Sequence, residues 1–146
     1  MCLLKRKKFS DKPYVSAKRT RYRVMLLSDT VLMSVYRRSF SWETTDWNFA
    51  DNTDDGGGFH CYPHKKDCLV HFAAQENSAS AMDYLFNRPL LVECAVEGFI
   101  ESGINDMVSQ KVDGLKAERW EKVKLLYITH KGRRYRADTF AQKFLK

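Results

Sequence analysis

No uninterrupted apolar run in these 146 residues approaches the roughly 18–20 that a membrane-crossing helix needs, so no membrane partner is expected. No apolar leader core follows the basic N-terminus, and a cytoplasmic location is expected. Without such a leader, Cys2, Cys61, Cys68 and Cys94 read as reduced thiols, which excludes a disulfide framework. The chain has no internal repeat and no low-complexity linker, which excludes a solenoid or a string of modules. Gly56-Gly57-Gly58 is not followed by Gly-Lys-Ser/Thr, so it is not a phosphate loop. The acidic stretch with Asp46, Asp51, Asp54 and Asp55 lacks the closing Glu of a calcium loop and reads as solvated.

What is present is apolar and aromatic content of 44% and 13%, enough for one folded core. Charge is unevenly laid out. Residues 1–23 carry +8, residues 24–110 carry −8 and residues 111–146 carry +7. Two readings follow: basic ends that screen an acidic body, or a polyanion-binding surface built from both ends.

The expected fold class is α+β, a single domain with a mostly antiparallel sheet and one or two packed helices. A basic arm over 1–20, with a short edge strand at Tyr14-Val15, precedes a domain over 21–146. Strands are predicted over 21–27 and 31–40, joined at Ser28-Asp29. Trp42 and Trp47 read as lids on the core. A short strand over 58–62 leads through Pro63 into a helix over 64–75, with Cys68, Leu69, Phe72 and Ala73 as its buried stripe. Ser78 or Ser80 caps a second helix that ends near Asn87. Residues 90–96 read as a central strand buried on two sides, which Gly98 ends or bulges. Residues 107–112 alternate weakly, and 116–120 fit a helical turn or an extended piece. Residues 123–129 read as a strand, turned at Lys131-Gly132 into a hairpin over 133–137, and Asp138 or Thr139 caps a last helix. The predicted core unites Leu69, Phe72, Leu91, Val92, Val96, Leu125 and Tyr127.

Cys61-x2-His64-x3-Cys68-x2-His71 carries the ligand types that zinc takes, with His60 a fifth candidate. Only three residues separate the two pairs, where structural sites use about a dozen. The simpler reading makes Cys68 a small core residue and alternates Cys61 with His60 and Tyr62 across a strand, so no cofactor and no metal site are expected. A Cys-His nucleophile also has its residue types here.

Trp42, Trp47, Gly57-Gly58-Phe59-His60, Asp67-Cys68-Leu69, Leu91-Val92-Glu93 with Gly98, and Lys122-Val123 follow one another in an order that resembles groups of small uncharacterised proteins of bacteria and their phages. The likeness covers residues 21–129. It implies a compact α+β domain and no particular activity.

Three function classes follow. In the first, a small basic accessory protein binds a polyanion, nucleic acid foremost, without catalysis. Lys18, Arg19, Arg21 and Arg23 with Tyr22, and Lys131, Arg133, Arg134 and Arg136 with Tyr135, interleave cations with rings as phosphate contact and base stacking require. In the second, a nucleotide pocket or transferase-like enzyme is centred on His60, with Tyr62 as a stacking face and Glu93 or Glu97 as acid/base. In the third, a mobile-element protein binds a host protein through its acidic middle.

Overall fold

Two long antiparallel strands carry this structure, a computed structural model that describes residues 12–15, 19–35, 40–53, 57–78, 87–104 and 114–146. Strand β5 spans Asn87–Ile104 and β6 spans Lys116–His130. The apolar run of β5 is buried on both faces. Leu90, Val92, Cys94 and Val96 point to one side and Leu91 to the other. Residues 116–120, ambiguous in sequence, extend β6, because β5 pairs with all of them and β4 pairs residues 118–120 from the other edge.

Strand β1 (Thr20–Ser28) pairs the other edge of β5, and β2 (Val31–Ser34) pairs β1 through a two-residue turn at Asp29-Thr30. The predicted strand over 31–40 is therefore shorter, and residues 36–39 lie outside the described residues. Along its far edge β6 receives three short strands in turn: β4 (Phe59–Cys61), β3 (Trp47–Phe49) and β7 (Arg133–Arg136). Lys131 and Gly132 both take positive φ, 51° and 77°, as a tight primed hairpin turn requires. The seven strands form one antiparallel sheet, confirming the expected α+β class.

The sheet curls. Register shifts between Glu93/Cys94 and between Phe99/Glu101 bend the β5–β6 ladder. Gly98, at φ 71°, accommodates the bend; a Cβ there would come within 2.8 Å of the Glu121 Cβ. Strand β4 joins the two sides. It pairs β6, and the next residue, Tyr62, exchanges backbone hydrogen bonds of 3.0 and 2.7 Å with Tyr22 of β1.

Each face of the curled sheet has its own helix. Inside lie Met25, Leu27, Val92, Val96, Trp120, Val123, Leu125 and Ile128, with Ala137 and Phe140 of α2 (Ala137–Phe144) packed against them. Outside, α1 (Lys65–Ser78) packs Cys68 and Phe72 on Val24, Leu26, Tyr62 and Leu91. The predicted single core is thus split. Leu91 and Phe72 lie outside, Val92, Val96 and Leu125 lie inside, and Tyr127 is half-buried on the outer face.

The predicted stripe of α1 is also corrected. Leu69 is 43% exposed and Ala73 is exposed, whereas Cys68 and His71 are buried. The Tyr62 hydroxyl and His71 Nδ1, 3.0 Å apart, set the rotation of the helix in place of an apolar stripe. At α2 the N-cap is Arg136, with no side-chain cap, rather than Asp138 or Thr139. Tyr14-Val15 form no strand. Tyr14 instead donates its backbone N–H to Glu118 Oε2 at 2.8 Å and its hydroxyl to the Gly103 carbonyl at 2.9 Å. The predicted helix after Ser78 and the segment 107–112 lie outside the described residues.

Candidate functional site

Alternation along β1 sends Arg21, Arg23, Met25 and Leu27 inward and Tyr22, Val24 and Leu26 outward. Two of the cations expected on a surface are therefore interior. Arg21 is fully buried, and its Nε meets Glu118 Oε1 at 2.5 Å. The same carboxylate oxygen accepts from Trp120 Nε1 at 3.2 Å, and the Arg21 guanidinium stands 5.2 Å from the Trp120 ring centroid. Arg23 donates to the His60 carbonyl at 3.1 Å and to Ser34 Oγ at 3.3 Å, and lies 4.8 Å from the centroid of Trp42 and 5.7 Å from that of Phe59. Arg19 is exposed, and Lys18 lies outside the described residues.

The His60 constellation does not converge. His60 pairs with Arg119 on β6, while Glu93 and Tyr62 are both Cα partners of Tyr22, so strand β1 stands between them and sets them two strand spacings, roughly 10 Å, apart. Glu93 is held from the other side, accepting two bonds from Arg134 at 2.8 and 3.2 Å. Tyr62 is fully buried against His71, its ring edge-on at 5.6 Å, so it offers no open stacking face. Burial pushes the His60 imidazole down to about 3, helped by the Arg23 and Arg119 charges, and pushes His71 down to about 4. Both rings are neutral at physiological pH.

The zinc candidates fail the same test. Cys61 belongs to the inner core and Cys68 to the outer one, on opposite faces of the sheet. Among the described residues no three His, Cys, Asp or Glu side chains are placed to hold a metal ion. Burial pushes the Cys68 thiol up. Burial opposes ionisation of Cys61 too, yet the hydrogen bond from Cys94 and the Arg23 charge outweigh it and hold Cys61 below the usual thiol range.

The outer face of β6 and its neighbours is different. Lys131, Arg133, Arg134 and Arg136 are exposed on the β6–β7 hairpin, Arg134 and Arg136 in phase with outer Tyr127 and Arg133 in phase with Tyr135. Tyr135 turns inward against Phe140 and Phe144 at 6.2 and 5.4 Å, while Arg133 lies 5.3 Å from its ring. Arg134 stacks 3.6 Å over Tyr127. Sequence reasoning missed Phe49, Lys122, Lys124 and Tyr127 and misplaced Trp47. Asn48 is buried between Trp47 and Phe49, and Val123 between the two lysines, so the rings and cations share the opposite, outer side. The Lys-Val-Lys-Leu alternation carried that signal.

Compared with protein-family models, with curated proteins and with solved structures, the chain matches none.

Proposed function

We propose that this protein binds nucleic acid without catalysis, through the basic β6–β7 hairpin. The observation that supports it is the projection of Lys131, Arg133, Arg134 and Arg136 into solvent from one four-residue strand and its turn. A short hairpin presents these cations on a preformed frame, and phosphate contacts need little more than that. Arg21 and Arg23 take no part in the proposed surface, since both are buried. The likeness to small bacterial and phage proteins suits an accessory role.

The test is binding of the full chain to labelled DNA and RNA at low and moderate salt. Affinity is expected to fall steeply with salt as counterions are released. Joint replacement of Arg133, Arg134 and Arg136 by Ala is expected to weaken binding alike for all sequences, because phosphate contacts carry no base information. No binding at low salt refutes the reading.

A protein partner is the second reading, favoured by α1. Leu69 and Val70 are 43% and 45% exposed, and Leu69 borders a cavity of about 220 Å³ with Phe72, Pro89 and Leu91. An apolar anchor from a host protein fits such a place.

A further inference from the structure

The outer face of the sheet carries a ladder of rings and cations that runs well beyond the hairpin. Its rows follow from strand register. Phe49 lies opposite Lys122, and Trp47 opposite Lys124. Further along β6, Tyr127 lies opposite Arg136 on one side and Glu93 on the other. The Lys122 ammonium stands 5.4 Å from the Phe49 centroid, and the Arg134 guanidinium lies flat enough on Tyr127 to approach within 3.6 Å.

Phe49 is 59% exposed, the most exposed large apolar side chain among the described residues. A ring of that size on a three-residue edge strand adds nothing to either core. Its position is nevertheless fixed. The Asn48 side chain donates to the carbonyls of Glu43 and Val123 at 3.0 and 3.3 Å and accepts from the Glu43 N–H at 2.7 Å. The Ala50 N–H donates to the Glu121 carbonyl at 2.9 Å. Asn48 thus locks both flanking rings toward solvent, so little ordering entropy is left to lose on binding.

Charge selects the partner. Lys122, Lys124, Arg134 and Arg136 edge the rings. Among the carboxylates near these cations, Glu93 is taken by Arg134 and the exposed Asp138 stands 3.7 Å from Arg136 Nε, while Glu97 lies opposite Lys122 with the exposed Glu121 beside it. Rings edged by cations complement a ligand that alternates flat apolar faces with negative charge. Trp47 and Phe49 stand two residues apart on one strand, roughly 7 Å. That is about twice the 3.4 Å step of bases stacked in a duplex, so the spacing suits bases drawn out of the stack.

We propose that the Phe49, Trp47 and Tyr127 face is a stacking platform for single-stranded nucleic acid. Bases lie on Phe49 and Trp47, and Arg134, seated on Tyr127, offers its own guanidinium plane to a third base. Lys122, Lys124 and Arg136 take the phosphates. This inference rests on the nucleic-acid reading above and narrows it from polyanion to unpaired strand.

The experiment titrates the full chain with three labelled probes: a mixed-sequence single strand, its duplex, and heparin. The single strand is expected to bind more tightly than the duplex. Phe49→Ala is expected to weaken single-strand binding about tenfold, the loss of one stacked base, and to leave heparin binding unchanged. Since Phe49 lies outside both cores, this variant keeps the fold, and an unchanged melting temperature verifies it. Lys122→Ala with Lys124→Ala is expected to weaken all three probes and to flatten the salt dependence. Duplex and heparin binding with a silent Phe49→Ala overturns the platform and leaves the polyanion reading standing. No binding to any probe at low salt overturns both.

Discussion

The charged residues inside the curled sheet are its most demanding feature at the scale of single side chains. Glu118 serves three groups: the Arg21 guanidinium, the Trp120 indole and the Tyr14 backbone N–H. Removing its charge leaves the Arg21 cation in an apolar interior without its carboxylate partner. Glu118→Gln is therefore expected to cost about 3–5 kcal/mol, read as a lowered urea midpoint. Replacing Arg21 by Met as well is expected to restore most of that, because the uncompensated charge goes too. If the double variant is no more stable than the single, the cost lies in shape rather than in charge. None of this was legible in the sequence. Arg21 and Arg23 stand in a run of Lys and Arg that reads as a solvated or phosphate-binding cluster, and only strand phase turns them inward.

At the scale of elements, the strands were the legible part and the helix face was not. Residues 90–96 and 123–129 have apolar runs that only a buried strand satisfies, and β5 and β6 contain them. Their lengths were underestimated, because the ladder recruits neighbours with weak propensity of their own once pairing begins. Helix α1 was found, but its orientation was not. Its apolar residues do not mark its buried side, since the Tyr62–His71 contact and the small Cys68 thiol decide the rotation. The consequence is a contrast between two leucines. Leu125→Ala empties a site that is 2% exposed and is expected to cost about 2–5 kcal/mol, whereas Leu69→Ala, at 43% exposed, is expected to cost under about 0.5 kcal/mol. Chemical denaturation of the two variants side by side checks this. Equal losses would put Leu69 back in the core.

For the whole molecule, acid is expected to loosen the fold through its two buried imidazoles. The unfolded chain takes up each proton near pH 6.5, whereas the folded protein holds His71 down to about 4 and His60 to about 3. Between those values the unfolded state binds more protons, so stability is full above about pH 6.5 and declines as pH falls through that window. For His71 the loss by pH 4 is roughly 3 kcal/mol. Denaturation midpoints measured from neutral to acid pH are expected to fall, and His71→Gln to flatten part of the slope. A wild-type profile that is flat, or that rises on acidification, contradicts the burial of these rings.

Local chemistry by itself determined the strand periodicity of β1, β5 and β6, the tight turn at Lys131-Gly132 and the α+β class, because hydrophobic period and turn residues act over a few neighbours. Tertiary structure decided what each cation and ring is for. The sheet curls so that β4 reaches both β6 and β1, which puts Arg21 and Arg23 inside. The same closure sets β1 between Tyr62 and Glu93 and puts Cys61 and Cys68 on opposite sides. The register of β6 with β3 and β7, along a strand bulged against β5, gathers Phe49, Trp47, Lys122, Lys124 and Tyr127 on one open face. Spacing along a chain fixes which residues share a face of one strand. Which strands lie side by side is fixed by closing the sheet around its core, and that depends on every element at once.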